Sequence, residues 1–459
     1  MTIMHGSFII YLVIMITILT IVDHFESKSR RVEKGEMTKR FLRHALIGIM
    51  AFIMIAATIS PGLAQAADGN IKVTKDGQPL SFDTAPLVVQ GRTMVPYAGI
   101  AKSLGATVGW DSKAKTVVVT KADTRLKLTI GSTTAYKNGA KVQLDAAPVA
   151  VGGRTMVPLR FISEAFGLWI KWDNSSKTVA IRTEMTLQTT IGTVTLNQVP
   201  QRVVVLDMYL LDILTSLGVQ AVGIAQEDAT NKDLPKYLDK YITYPFTWVG
   251  DRRQPSTEVI ASLKPDLIIG DVKRHKEAYN VLSGIAPTAL FTGAGDDDWK
   301  AIINKLGNAF NLDDQAKEVL SGYYKQVSSS KAALAKEGKL KVLPVGNYAK
   351  NQVRIFTPDS FTGDVLKEIG LTVSFSADGK PDAYISREKL LEIDADVIFL
   401  LESPKWTDNV DLDKATIWKD LRAVKAGNVK KVSLENWTFY RGPLAAKVIM
   451  NDAVDYVTK

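Results

Sequence analysis

The sequence predicts an α/β protein of two similar lobes joined by one long helix, preceded by a small, duplicated, mainly β (α+β) domain. Three observations lead to this fold class. After about residue 186, apolar runs typical of buried strands alternate with helical patterns. Within that part, a weak repeat recurs at an offset of 130 residues. Between residues 71 and 183, a stronger repeat recurs at an offset of 62 residues.

The composition narrows the classes of protein and of site. The 459 residues contain no cysteine, which excludes disulfides, thiolate metal sites and a lipid-modified cysteine. Of the four histidines, only His275 lies beyond residue 66, which argues against a site for a bare transition metal. After residue 66 the chain carries 50 basic and 44 acidic residues, evenly spread, so we expect no nucleic-acid partner.

Residues 1–66 are predicted to be a leader and export signal. Lys39, Arg40 and Arg43 precede the apolar run Ala45–Ile59, and small residues end the segment at Ala66. We therefore expect a secreted or cell-surface protein that is cleaved after Ala66. The residues before Met37 are either an upstream extension from a misassigned start codon or an N-terminal anchor.

The stronger repeat contains the motif Gly-Arg-Thr-Met-Val-Pro twice. Its final residues, Pro96 and Pro158, suit the first position of a helix, and Gly105 and Gly167 suit the end of that helix. Short β-branched segments close both units and indicate strands. Each unit therefore predicts strands followed by a short helix and more strands.

These motifs, with the Trp-Asp pairs at Trp110 and Trp172, resemble the stalk domain also called the copper amine oxidase N-terminal domain. The chain offers no histidine cluster that could hold copper. We therefore expect residues 67–184, called the stalk below, to be a surface spacer or an attachment module for the cell envelope. We expect both tryptophans to pack in the core rather than to form platforms for sugar rings.

The weak repeat indicates two equivalent lobes. The segment that begins at Ser256 matches the one that begins at Ser386, each with a capping serine, a short helix and an apolar strand. Between the two segments, the apolar spacing of Asp313–Lys336 fits one long amphipathic helix. The predicted boundaries are a two-lobed domain over 186–459, with lobe one at about 186–310, the linking helix at about 313–337 and lobe two at about 338–459.

The two-lobed part resembles the iron-siderophore and cobalamin binding proteins of ABC importers. The resemblance rests on segments in the expected order, including Pro200–Leu206, Val249–Ile269, Ile285–Pro287 and Trp418–Gly427. It implies two Rossmann-like lobes that clasp a metal chelate, with no covalent cofactor. It also implies that Glu258 and Glu388, one on each lobe, dock into arginine pockets of the transmembrane permease.

Ligands of open α/β sheets sit outside the carboxyl ends of the strands, so residues that follow strands are the candidates. They mix basic and aromatic side chains, which suits a bulky anionic chelate such as a ferric siderophore. The candidates are Tyr209, Arg252, Arg253, Lys273, Arg274, Tyr348, Lys350, Arg354, Trp437, Tyr440 and Arg441.

Other ligands and functions stay open at this point. Haem could take Met208, a tyrosine or His275 as axial ligands, and cobalamin would favour an aromatic cleft with few charges. A surface adhesion protein that uses the stalk is a second class of function. An enzyme is disfavoured, because the sequence lacks a nucleophile elbow, a phosphate-binding loop and a metalloprotease signature.

Overall fold

The computed structural model describes residues 71–227, 232–293, 298–349, 352–403, 412 and 415–458, except for the side chains of 347–349. The predicted signal, its cleavage site and the start at Met37 lie outside the described residues. Among the helices that are described, none is both long and apolar enough to cross a membrane.

The stalk is mainly β, as the sequence predicts. Its helices are α1 (Tyr97–Ser103) and α2 (Leu159–Ala165). Its strands are β1 (Lys72–Lys75), β2 (Gln78–Pro79), β3 (Leu87–Val89), β4 (Arg92–Pro96), β5 (Thr107–Asp111), β6 (Thr116–Lys121), β7 (Thr124–Thr129), β8 (Thr134–Lys137), β9 (Ala140–Gln143), β10 (Val149–Val151), β11 (Arg154–Pro158), β12 (Trp169–Asp173) and β13 (Thr178–Arg182).

The two repeats are intertwined about a pseudo-twofold axis. The two Gly-Arg-Thr-Met-Val-Pro motifs form β4 and β11, which pair antiparallel with Val95 opposite Val157. The last strand of the second repeat, β13, pairs with the first strand of the first, β1. Both helices begin directly after the motif prolines, and Gly105 and Gly167 follow their ends with φ of 70° and 71°. These helix boundaries confirm the prediction.

The expectation that Trp110 and Trp172 pack in the core is wrong. The two residues are 45% and 40% exposed. They lie on β5 and β12, each of which pairs with a single neighbouring strand. An edge strand offers side-chain neighbours on one flank only, so each indole is left half uncovered.

The rest of the described chain alternates strands and helices. Its strands are β14 (Met185–Thr189), β15 (Gly192–Leu196), β16 (Val203–Val205), β17 (Ala221–Gln226), β18 (Thr247–Asp251), β19 (Gln254–Pro255), β20 (Leu267–Asp271), β21 (Thr288–Phe291), β22 (Lys341–Ala349), β23 (Gln352–Phe356), β24 (Thr372–Val373), β25 (Asp382–Ser386), β26 (Val397–Glu402) and β27 (Val429–Ser433). Its helices are α3 (Met208–Ser216), α4 (Thr257–Ser262), α5 (Val272–His275), α6 (Tyr279–Ile285), α7 (Trp299–Ala309), α8 (Asp313–Leu334), α9 (Phe361–Glu368), α10 (Arg422–Lys425), α11 (Leu434–Thr438) and α12 (Pro443–Val457).

In the part of the chain that the structure describes, β16–β27 build two six-stranded sheets, and β14 pairs antiparallel with β15 in a separate two-stranded sheet. The first has the order β19-β18-β17-β16-β20-β21, and β16, β17, β18, β20 and β21 are parallel. The second has the order β25-β23-β22-β26-β27, with β24 beside β22, and its β22, β24, β26 and β27 are parallel. Both sheets also carry antiparallel strands at one side, whereas the sequence predicted parallel sheets.

One connection between the two sheets is helix α8. It begins at Asp313, as predicted, and packs on α7 and α12.

A second connection between the sheets is the contact of α3 with the start of α12. The buried Asp212 of α3 accepts hydrogen bonds from the backbone N–H groups of Leu444 and Ala445, at 2.9 and 3.0 Å, and so caps α12. Burial raises the pKa of the Asp212 carboxyl to about 7, although its hydrogen bonds, one of them from Tyr237, lower it. A side chain at Gly442 would collide with this carboxyl.

The stalk packs against the first sheet and its helices. Trp169 of β12 is 3% exposed, belongs to the same apolar core as the first sheet, and donates from Nε1 to the Ala309 carbonyl at 2.8 Å. Next to it, the Ile170 N–H donates to Asn311 Oδ1 at 3.2 Å. Since β12 is an edge strand, this contact covers it with the α7–α8 connection.

We predict that Trp169→Ala lowers the free energy of unfolding by about 3–5 kcal/mol, because it leaves a cavity between the stalk and α7 and an unpaired Ala309 carbonyl. Denaturant unfolding of the whole protein measures this. Tyr136→Ala, at a side chain that is 41% exposed, is the control and should change it by less than about 0.5 kcal/mol. A loss below about 1 kcal/mol for Trp169→Ala would contradict the interface.

Candidate functional site

A cleft of about 360 Å³ lies between the two sheets and receives residues from both. Asp271 and Thr292 lie at the carboxyl ends of β20 and β21, and Arg252 directly follows β18. This is the edge at which ligands of parallel sheets bind. The cleft is lined by Arg252, Asp271, Lys273, Arg274, Thr292, Arg354, Phe356, Ser360, Phe361, Thr362, Pro381, Asp382, Thr438, Phe439 and Arg441.

The wall is strongly cationic. It brings together five of the basic candidates, two acids and several hydroxyl groups. The basic residues are Arg252, Lys273, Arg274, Arg354 and Arg441, and the acids are Asp271 and Asp382. Guanidinium groups in this number suit a ligand that presents several anionic oxygen atoms.

Buried carboxylates hold Arg274 in place. Its Nη1 lies 3.1 Å from Asp207 Oδ2 and 3.3 Å from Asp271 Oδ1. Both acids are 1% exposed, whereas the Arg274 side chain is 30% exposed and reaches the cleft. Burial, followed by the nearby Asp207 charge, raises the pKa of the Asp271 carboxyl. The guanidinium is therefore oriented before any ligand binds.

His275 supports the cleft and is not on its surface. The Asp271 N–H donates to His275 Nδ1 at 2.9 Å, so Nε2 carries the proton and donates to the Arg252 carbonyl at 2.7 Å. The ring is fully buried, and burial lowers the pKa of His275. With Met208 also buried, neither residue faces the cleft as an axial ligand would.

Two reciprocal cation–π contacts cross from one sheet to the other. The Arg252 guanidinium, which follows β18, lies 5.1 Å from the ring centre of Phe439 beyond β27. The Arg441 guanidinium, beyond β27, lies 4.7 Å from the ring centre of Tyr209 in α3. Each ring attracts the guanidinium beside it, and this attraction offsets part of the repulsion between the cations of the cleft.

Arg354 is held on its own lobe. It forms an ion pair with Asp382 on the neighbouring strand β25, and its guanidinium lies 4.8 Å from the ring centre of Phe356. Its side chain is 23% exposed at the cleft wall. The second sheet therefore presents a fixed cation opposite those of the first.

Three of the aromatic candidates, Tyr209, Trp437 and Tyr440, do not line the cleft. Tyr209 is fully buried and donates to the Phe291 carbonyl at 3.0 Å. Trp437 is fully buried and donates from Nε1 to Asp452 at 2.9 Å, and Tyr440 packs edge-on against Tyr237. The sequence shows that these residues follow strands, but it does not show the direction of their side chains.

Arg253 also falls outside the wall. The Arg253 side chain is 56% exposed and lies 3.8 Å from Asp251. The side chain of Tyr348 and the whole of Lys350 lie outside the described residues.

Sequence reasoning missed five residues of the wall. Ser360, Phe361 and Thr362 lie at the start of α9 and Thr438 at the end of α11, which are helical elements rather than strand ends. Thr292 directly follows β21, so the rule that ligands bind at strand ends could have found it. Phe356 and Phe439, which lie two residues from Arg354 and Arg441, also line the wall.

The two glutamates predicted to dock are exposed. Glu258 lies in the first turn of α4, where the Ser256 hydroxyl accepts the Val259 N–H at 3.3 Å. Glu388 opens a 3₁₀ helix, Glu388–Glu392, and its own N–H and the Ser386 hydroxyl lower the pKa of its carboxyl. The two surroundings are similar, although only Ser256 caps an α-helix.

Comparisons with known proteins agree with this geometry. The model of the periplasmic binding protein family matches residues 203–433, and that of the copper amine oxidase N-terminal domain matches residues 74–181. The Fe(3+)-citrate-binding protein YfmC of Bacillus subtilis is 35% identical over 271 residues, which cover 58% of this chain and 84% of that protein. The Fe(3+) dicitrate-binding periplasmic protein FecB of Escherichia coli is 29% identical, with coverages of 59% and 89%.

A solved structure is also similar to the two-lobed part of this chain. Staphylococcus aureus SirA complexed with staphyloferrin B aligns with a TM-score of 0.53 and 25% identity, over 59% of this chain and 98% of SirA. The copper amine oxidase match covers the stalk alone, and among the described residues no group of three or more histidine, aspartate or glutamate side chains could hold a metal ion.

We predict that His275 stays neutral below the usual histidine pKa of about 6.5. A protein that begins at residue 67 contains this histidine alone, so its imidazole signals can be followed directly by NMR titration. In the native state the buried His275 resists the protonation that it accepts in the unfolded chain. The contribution of the neutral ring to the free energy of unfolding is therefore fully present above pH 6.5 and is lost as pH falls. A His275 titration midpoint at or above pH 6.5 would contradict the buried ring that bridges the Asp271 N–H and the Arg252 carbonyl.

Proposed function

Because the chain belongs to the periplasmic binding protein family, we propose that it is the solute-binding component of an ABC importer and that its cleft captures a ferric siderophore of the carboxylate type. The observation that carries this proposal is the convergence of five cationic side chains from both sheets on one cleft. Such a binding protein performs no chemistry on its ligand and needs no covalent cofactor.

The charge of the wall supports an anionic ligand over a neutral one. A neutral ligand would desolvate the guanidinium groups of the wall without adding an opposite charge or charge-assisted hydrogen bonds, which is costly. A chelate with several carboxylates would accept forked hydrogen bonds from Arg274 and Arg354, while hydroxyls such as Thr292 and Thr438 could bind its remaining oxygen atoms. YfmC and FecB, named for citrate complexes of Fe(3+), are relatives of this kind.

Size and ligand chemistry support the same choice against haem and cobalamin. The cleft, at about 360 Å³, lies near the lower end of the range for ligand sites, roughly 300–1,000 Å³. A compact chelate fits such a space better than a porphyrin or a corrin. Met208, Tyr209 and His275, which could serve as axial ligands of a haem iron, are buried in the core and do not line the cleft.

The proposal extends to the rest of the chain. Residues 1–66 direct export, and residues 186–459 are a two-lobed domain whose Rossmann-like lobes meet at the cleft and are joined by α8. Glu258 and Glu388 are exposed on opposite lobes, away from the cleft wall, as docking residues for a permease must be.

We predict that Arg274→Ala lowers the affinity for ferric citrate about 10- to 150-fold, because a charge-assisted hydrogen bond to the ligand is lost. Arg274→Lys should recover only part of the loss, since lysine lacks the planar fork. Raised salt should weaken the binding of ferric citrate more in the parent protein than in Arg274→Ala. Fluorescence titrations at low and high salt measure these effects.

Arg253→Ala is the matched control, because Arg253 neighbours the site in sequence but is 56% exposed outside the wall. It should bind ferric citrate within about twofold of the parent. If Arg274→Ala also binds like the parent, Arg274 has no part in capture.

We predict that the double variant Glu258→Ala, Glu388→Ala keeps its ferric citrate affinity within about twofold but loses most importer-dependent uptake. Charges on an outer surface act on docking and encounter rather than on a distant pocket. Uptake of labelled iron by cells carrying each variant is the measurement. The control is Glu277→Ala, Glu392→Ala, at two other exposed glutamates. Equal uptake by both double variants would refute the docking roles.

A further inference from the structure

A second cavity, larger than the cleft, lies between the stalk and the start of α8. This groove of about 860 Å³ is lined from the stalk side by Trp172, Phe161 and Thr93 and from the α8 side by Asn311 and Gln315, among others. Asn311 lines this groove, and no residue of the groove also lines the cleft between the sheets. The chelate-binding function leaves this groove unused.

The charges of the groove neutralise one another. Arg92 lies 2.8 Å from Asp145, Lys171 lies 3.6 Å from Asp313, and Lys317 lies 3.0 Å from Asp314. The remaining lining acid, Glu164, accepts from Asn311 Nδ2 at 3.0 Å, and Arg160, the remaining cation, lies close enough to Glu164 to affect it electrostatically. A charged polymer therefore finds no excess of opposite charge here, in contrast to the cleft.

The groove combines an exposed indole with neutral hydrogen-bonding groups. Trp172 is 40% exposed, and the neutral polar groups of the wall include Thr93, Gln143 and Gln315. A pyranose ring has an apolar face of C–H groups and a rim of hydroxyls. The flat face of an indole covers such an apolar face, while amides and hydroxyls bind the rim.

The first repeat carries two of these features, an exposed tryptophan and an arginine–aspartate pair. Trp110, which matches Trp172 at the offset of 62, is 45% exposed, and Arg154 lies 2.6 Å from Asp83 as Arg92 does from Asp145. The pairing of β4 with β11 relates these two surfaces by the pseudo-twofold axis of the stalk. Two like surfaces at a fixed separation favour a polymer over a single sugar, since a chain can engage both.

We propose that the stalk binds the uncharged sugar rings of a polysaccharide, with Trp172 and Trp110 as the stacking side chains of its two repeats. This is a function separate from chelate capture. It would hold a protein without a lipid-modified cysteine at a glycan surface.

The test is co-sedimentation of the whole protein with insoluble chitin, cellulose and purified peptidoglycan. The parent should sediment with at least one of them, and the bound fraction should fall about fivefold for Trp172→Ala or Trp110→Ala and further for the double variant. Trp172→Tyr keeps a flat ring and should retain most binding, whereas Trp172→Leu should not. Retention on peptidoglycan alone identifies a wall glycan as the source, and retention on chitin or cellulose a free polysaccharide.

Tyr136→Ala is the matched control. Tyr136 is 41% exposed on the same stalk sheet as Trp110, but its cross-strand partners place it on the opposite face. All variants should bind ferric citrate within about twofold of the parent. A failure of polysaccharide binding is therefore distinguishable from a failure of chelate binding. Absence of binding to all three polysaccharides, or binding that both Trp→Ala variants retain, would overturn the proposal.

Discussion

The gathering of like charges in one cleft is the constraint on which the rest of the site depends. Guanidinium groups that converge without a ligand repel one another and lose solvation. The protein offsets this with carboxylates that it buries beneath them, Asp207 and Asp271 under Arg274, and with rings that face Arg252 and Arg441. The cations are thereby fixed in direction, and an anionic ligand meets a site that is already arranged.

The fold supplies the second requirement, which is that the two halves of the cleft stay at a fixed distance. Helix α8 joins the sheets, and Asp212 caps α12 from α3 with no room for a side chain at Gly442. The reciprocal contacts of Arg252 and Arg441 connect the halves at the cleft itself. We expect a cleft held in this way to change little when a ligand enters, so that selectivity follows from the placement of charge rather than from a large closure.

Much of this could be predicted from the sequence. The offsets of 62 and 130 residues predicted a duplicated stalk and an α/β part, and the rule that ligands bind at strand ends found Arg252, Arg274 and Arg354. Side-chain direction could not be predicted, because Tyr209 and Arg441 both follow strands while only Arg441 lines the cleft. The exposure of Trp110 and Trp172 depends on the positions of β5 and β12 at the edges of their sheets, which is a tertiary property that residue type does not encode.

The central claim is that charge decides which ligand the cleft accepts. Calorimetric titration of the parent protein with ferric citrate, iron-free citrate and cobalamin, each at low and high salt, tests it most directly. We expect ferric citrate to bind the tightest of the three and to bind more weakly as salt is raised, because its carboxylates pair with the cations of the wall. Tight, salt-independent binding of cobalamin with no binding of ferric citrate would contradict the account.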